Sequence, residues 1–195
     1  MKRRLALAGL ALALQVEASE RQWDFEVLLD GKPIGSHRFT LDTRGDTQVL
    51  HSEARFDVKL LSFTVYRYRH EAIEQWQDGC LTGLQASTDD NGRPLRVNWP
   101  QGGARPAGCM MSFAYWNPAL MQQTRLLNAQ TGDVQPVRFT ALPDQALRVR
   151  GQDVPARHWR LSGPEQAVEL WYSPQGEWLG LASHVGGRQL QYTLR

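Results

Sequence analysis

Trp23-Asp24-Phe25-Glu26-Val27-Leu28-Leu29-Asp30-Gly31, residues 23–31, decides the fold class. Large apolar side chains stand at 23, 25, 27 and 29, and a period of two is that of a strand with one buried face. The Asp-Gly pair follows without a gap. Alternation running into Asp-Gly is the strongest short-range hairpin signal. The return strand extends from Lys32 to about Asp42, with Ile34, Phe39 and Leu41 inward and Gly35 as a bulge position.

The same grammar continues outward. Arg44-Gly45-Asp46 turns the chain into a strand over 48–58 whose inner residues are Leu50, Ser52, Ala54, Phe56 and Val58, with His51, Glu53 and Asp57 outward. Residues 62–76 form a longer strand, with Tyr66, Tyr68, His70, Ala72, Glu74 and Trp76 on one face and Phe63, Val65, Arg67, Arg69 and Glu71 on the other. Asp78-Gly79 and Asp89-Asp90-Asn91-Gly92 are further turns, and the Gly- and Pro-rich stretch 100–108 is a loop. One helix is expected over about 117–128: Asn117 is a good N-cap, Pro118 suits the first helical position, and Trp116 and Met121 occupy the staple positions. Strands then recur at 134–141, 145–150, 154–161, 167–172, 177–185 and 188–194. The pattern predicts a mainly β single domain of about ten to twelve strands, built as a strongly curved antiparallel sheet or open barrel with one short helix.

The N-terminus reads as a signal peptide over residues 1–18. Lys2, Arg3 and Arg4 precede the apolar run 5–14, and Val16-Glu17-Ala18 gives a cleavage signal. The run is too short to span a bilayer, and no later segment approaches that length. The expected location is exported, in the periplasm. Three of the 22 Lys and Arg residues and one of the 20 acids leave with the leader, so the remainder is neutral. The basic character of the full chain therefore gives no support for nucleic-acid binding, which needs a basic patch or stripe. In an oxidising compartment the two cysteines, Cys80 and Cys109, are expected to form a disulfide.

Catalytic patterns are sparse. The five histidines (His37, His51, His70, His158 and His184) lie on separate strands. His70-Glu71-Ala72-Ile73-Glu74 has Glu where a zincin needs its second His, and on a strand residues four apart are about 13 Å apart, too far to share a zinc ion. Ser112 lacks a nucleophile elbow, and no glycine-rich loop fits a nucleotide fingerprint. No metal and no cofactor is expected. Two clusters remain. The face of Tyr66, Tyr68, His70, Glu74 and Trp76 either lines a concave surface or is a wet outer face. Met110, Met111, Phe113, Tyr115, Trp116, Leu120 and Met121 either receive an apolar ligand or fill gaps between helix and sheet.

Ser112-Phe113-Ala114-Tyr115-Trp116-Asn117-Pro118, with Leu126-Leu127-Asn128 and Gln130-Thr131-Gly132 after it, resembles the mark of a family of uncharacterised exported bacterial proteins. Residues 31–35, 74–81 and 169–181 are similar to stretches of larger families of exported half-barrel proteins. The resemblance implies a periplasmic β domain similar in architecture to lipoprotein carriers, and it implies no catalytic residue. The resulting expectation is a non-enzymatic periplasmic protein holding a lipid or other apolar small molecule in the hollow of a curved sheet. Met110, Met111, Phe113, Tyr115, Trp116, Met121, Tyr66, Tyr68, His70 and Trp76 would line that hollow. The alternatives are an enzyme using the Tyr66, Tyr68, His70 and Glu74 face, or a structural or protein-interaction module of the cell envelope.

Overall fold

A computed structural model describes residues 18–61, 63–103 and 108–195. Apart from Ala18, the expected leader lies outside the described residues. The chain forms β1 (Ala18–Leu29), β2 (Lys32–Arg44), β3 (Thr47–Leu60), β4 (Phe63–Gln77), β5 (Cys80–Asp90), β6 (Arg93–Trp99), β7 (Arg125–Leu127), β8 (Val134–Pro136), β9 (Arg138–Val149), β10 (Gln152–Ser162), β11 (Val168–Tyr172), β12 (Trp178–Val185) and β13 (Arg188–Leu194). Eleven of these make one sheet in the order β6-β5-β4-β3-β2-β1-β13-β12-β11-β10-β9, and β7 pairs with β8 separately. Each neighbouring pair in the large sheet is antiparallel.

Local chemistry accounts for the hairpins. Asp30-Gly31, Asp78-Gly79, Asn91-Gly92 and Arg150-Gly151 all have positive φ at both residues, as a two-residue turn between twisted strands requires. Gly35 is the bulge. The β1–β2 register slips between Val27 and Leu28, and a Cβ on Gly35 would collide with the Arg55 carbonyl oxygen. The slip explains why Ile34 and Phe39, an odd number of residues apart, both pack on core clusters. His37 lies beyond the slip and shares the face of Phe39 and Leu41 by plain alternation.

Two expectations about architecture are corrected. The sheet is neither curled nor closed into a barrel, because its two edge strands, β6 and β9, are not paired with each other. Both edges carry a proline, Pro94 in β6 and Pro143 in β9, which cannot donate a ladder hydrogen bond. The helix expected over 117–128 is a five-residue 3-10 turn, Pro118–Gln122. Asn117 does cap it, its side-chain oxygen accepting from the Ala119 N–H at 3.0 Å. The chain is then extended at Gln123 and enters β7. Leu120 and Leu127 are both fully buried, the first delivered by the 3-10 turn and the second by the extended chain of β7 rather than by one helical stripe.

The segment 108–137 lies over the inner face of the sheet. Cys80 and Cys109 form a disulfide that fastens it to β5. The Leu81 N–H donates to the Met110 carbonyl at 2.8 Å, and the Tyr172 hydroxyl donates to the Tyr115 carbonyl at 2.8 Å. Trp23, Phe25, Trp76, Tyr172 and Trp178 from the sheet meet Met111, Trp116, Leu120, Leu126 and Leu127 from the cover in one core. This packing overturns the expected binding of a lipid-like ligand in a hollow: among the described residues the inner face is filled by side chains.

Candidate functional site

Registered rows of side chains run across β2–β6, and they differ between the two faces. On the inner face, His37, Ala54, His70 and Thr88 align in one row, and Phe39, Ser52, Ala72 and Ala86 in the next. The small residues leave a shallow depression, and Phe113, Tyr115 and Ala129 close it from above. What remains is a cavity of about 110 Å³ lined by His37, Ser52, His70, Glu74, Phe113 and Tyr115, among others. At roughly 30 Å³ per water, it has room for three or four.

Most polar groups around this cavity are paired, the exception being the buried Trp116 indole N–H, which has no partner among the described residues. One His37 ring nitrogen lies 2.8 Å from the Ser52 hydroxyl and the other 3.2 Å from the Tyr192 hydroxyl. His70 Nδ1 lies 2.8 Å from the Thr88 hydroxyl. The Glu74 carboxylate accepts from the Trp76 indole N–H at 3.1 Å and from the Ser112 hydroxyl at 3.0 Å. Desolvation lowers the pKa of His37 to about 3, with repulsion from His70 a smaller cause, and lowers His70 to about 4. Burial raises Glu74 to about 7 against those two hydrogen bonds, which lower it. Both imidazoles are therefore neutral at pH 7. A histidine held neutral down to such low pH is a weak proton acceptor, so the Ser52–His37 contact has the distance of a nucleophile–base pair without the basicity. The arrangement satisfies the hydrogen-bonding needs of a polar inner row and holds the cover down through Ser112.

The other residues singled out in the sequence fall into the same packing. Met111, Trp116 and Trp76 are buried in the main core, and Met110, Phe113, Tyr115 and Met121 pack against it half-buried. Tyr68 stacks on Phe56 and donates to the Gln130 side chain at 3.0 Å, so it too holds the cover. Tyr66 donates to Asp90 at 2.7 Å near the end of the sheet and is not drawn into the cavity. His70, Glu74, Phe113, Tyr115 and Trp116 are brought together around the cavity; Met110, Met111, Tyr66, Tyr68, Trp76 and Met121 are not among its lining residues.

A wider concavity lies on the opposite face of the same strands. An open trough of about 760 Å³ crosses β2–β6, lined by Arg38, His51, Glu53, Glu71, Ile73 and Arg96 together with shorter polar side chains. Two outer rows form its floor. Arg38, Glu53, Glu71, Ser87 and Arg96 are successive register partners, and so are Thr40, His51, Ile73, Gln85 and Asn98. Glu53 and Glu71 therefore stand directly opposite one another, and like charges so placed repel. Arg55 pairs with Glu53, and Arg38 with Asp24 on the far side. Among the described residues, Glu71 and Arg96 take part in no ion pair. Ile73 is 43% exposed at the centre. Sequence alternation places His51 and Glu53 outward, but their neighbours come from four hairpins and no local signal links them.

Among the described residues no helix is long and apolar enough to cross a membrane, and no group of three or more His, Cys, Asp or Glu side chains is placed to hold a metal ion. A search of curated proteins finds no match. Among solved structures, the crystal structure of the beta-barrel-like protein of domain of unknown function DUF1849 from Brucella abortus is similar. Its TM-score is 0.56 at 10% sequence identity, over 93% of this chain and 98% of that one. At that identity the likeness is one of fold, and barrel-like describes that protein. The profile of the domain of unknown function DUF6134 matches residues 25–195, and the chain belongs to that family.

Proposed function

We propose that this is an exported, non-enzymatic envelope protein that binds an extended peptide segment of a partner along the outer trough of β2–β6. The observation that carries the reading is the Glu53–Glu71 pair on the floor of a concavity of about 760 Å³, in which Arg55 meets Glu53 but, among the described residues, no cation meets Glu71. Folding alone gains nothing from two carboxylates in register, whereas a basic side chain laid between them relieves the repulsion. Arg38 and Arg96 flank the pair along the same row, so the favoured ligand has a basic centre between acidic ends. Thr40, Gln85, Ser87 and Asn98 offer hydrogen bonds to a peptide backbone, and Ile73 offers apolar contact. The leader-like N-terminus and the resemblance to exported families support the compartment; the filled inner face removes the acyl cargo of a lipoprotein carrier from the reading.

The test is fluorescence polarisation with a labelled peptide of alternating spacing, acidic at both ends and carrying two lysines between. Binding in the micromolar range is expected, with at least about tenfold loss in Glu71→Lys, the equivalent of ~1.4 kcal/mol. In the absence of peptide, Glu71→Gln is expected to stabilise the fold by a few tenths of a kcal/mol, because one member of a like-charge pair is removed. Equal binding of a charge-reversed peptide, or unchanged binding by Glu71→Lys, would sink the proposal. Cell fractionation tests the compartment separately: full-length protein retained in the cytosol removes export.

A further inference from the structure

The β3–β4 hairpin outruns its neighbours. The last β2 partner of β3 is Gly35, opposite Phe56, and the last β5 partner of β4 is Asp90, opposite Tyr68. Beyond those pairs β3 and β4 continue together through Val58–Tyr66 and Lys59–Thr64 to Leu60–Phe63. The end is thus a two-stranded ribbon with no strand on either side. Its apolar residues are left bare: Leu60 is 66% exposed, Leu61 91%, Phe63 74% and Val65 52%. A turn between strands needs no apolar side chains, and the other two-residue turns among the described residues use Asp-Gly, Gly-Asp, Asn-Gly, Arg-Gly and Gly-Gly.

The charge at the base of this ribbon is predominantly positive. Between residues 55 and 69 the chain carries Arg55, Lys59, Arg67 and Arg69 against a single acid, Asp57. Asp57 is held by two of these cations, with Arg69 at 2.8 Å and Arg67 at 3.4 Å. Asp90 accepts the Tyr66 hydroxyl lower down, and Glu53 on β3 pairs with Arg55. Lys59 stands exposed beside the apolar tip, and among the described residues it has no acidic partner.

We infer that the β3–β4 tip docks on an anionic lipid bilayer surface, with Leu60, Leu61, Phe63 and Val65 entering the interfacial region. The long stems of Lys59 and Arg67 carry their charges to the phosphate layer. Apolar residues beyond a cationic collar match a surface whose outermost charge is negative and whose next layer is apolar. A zwitterionic surface meets only half of that pattern. This inference rests on the hairpin tip and is independent of the peptide trough, which lies on β2–β6 below it.

Sedimentation of the full chain with vesicles tests it, comparing pure phosphatidylcholine with an equimolar mixture of phosphatidylcholine and phosphatidylglycerol. Preferential binding to the anionic vesicles by about 10- to 100-fold is expected, weakening as salt is raised. Leu61→Asp with Phe63→Asp should reduce binding at least about tenfold, and Lys59→Glu should reduce only the anionic preference. All these side chains are exposed, so each variant should melt with its parent. Equal partition onto both vesicle types, or no partition onto either, overturns the inference. So does a concentration-dependent dimer that the Leu61→Asp and Phe63→Asp changes abolish, since the tip would then be an interface between copies of this chain.

Discussion

Gly35 sets how closely β2 can approach β3. A Cβ there would overlap the Arg55 carbonyl oxygen on the neighbouring strand, and that contact is backbone, which cannot swing aside. Replacing Gly35 by Ala must therefore push β2 and β3 apart, and a loss of about 3 kcal/mol or more in urea unfolding is expected. A loss under about 1 kcal/mol would show that the bulge relaxes freely. The bulge was legible in the sequence as a glycine out of step with an alternating strand. The contacts of His37 were not. Alternation with Phe39 and Leu41 puts His37 on the inner face, but Ser52 and Tyr192 reach it from other strands, and the strand pattern alone carries no record of which partner stands opposite.

At the scale of elements, the disulfide fastens the cover segment to the sheet. Cys80 and Cys109 are separated by 29 positions, and closing a loop of that length stabilises by roughly 3 to 4 kcal/mol on the chain-entropy account. Reduction, or Cys80→Ser with Cys109→Ser, should lower the melting temperature by about 10 °C. A melting curve unchanged by reductant would mean that Ser112, Tyr68 and Tyr172 hold the cover without it. The strands of the large sheet were readable because each carries its own alternation and its own turn residues. The helix was overestimated because Leu120, Met121, Thr124 and Leu127 fit a helical stripe equally well. Tertiary hydrogen bonds decided against it: the Leu127 N–H donates to the Met111 carbonyl at 2.9 Å, which requires an extended chain there.

Over the whole molecule the buried titratable groups predict how stability varies with pH. His37 and His70 have native pKa values of about 3 and about 4, below the ordinary 6.5. The native state thus binds fewer protons than the unfolded chain, and their contribution is present above about pH 6.5 and lost as pH falls. Glu74 is the reverse, raised from 4.5 to about 7, so its contribution is present below pH 4.5 and lost as pH rises through 7. Between about 4.5 and 6.5 the two histidines outweigh the one carboxyl and stability climbs; above 6.5 Glu74 alone titrates and stability declines. Glu74→Gln keeps an acceptor for Ser112 and Trp76 and should remove the decline. Its advantage over the parent should grow by ~3 kcal/mol from about pH 4.5 to about pH 8 in urea unfolding. An advantage independent of pH would mean that Glu74 titrates alike in the folded and unfolded chain.

The sequence by itself determined the strands, the tight turns, the disulfide partners and the bulge, because each depends on residues close in the chain or on a count of two. Only the tertiary structure decided which face of those strands is which. A period of two separates Tyr68, His70 and Glu74 from Arg69, Glu71 and Ile73, but it does not say which set meets the cover. The cover turned the first set into a packed polar layer and left the second on an open trough. Closure was likewise beyond local pattern, since it depends on whether two edge strands far apart in the chain find each other. Pro94 and Pro143 at those edges, and a connecting segment spent on covering the inner face, left the sheet open.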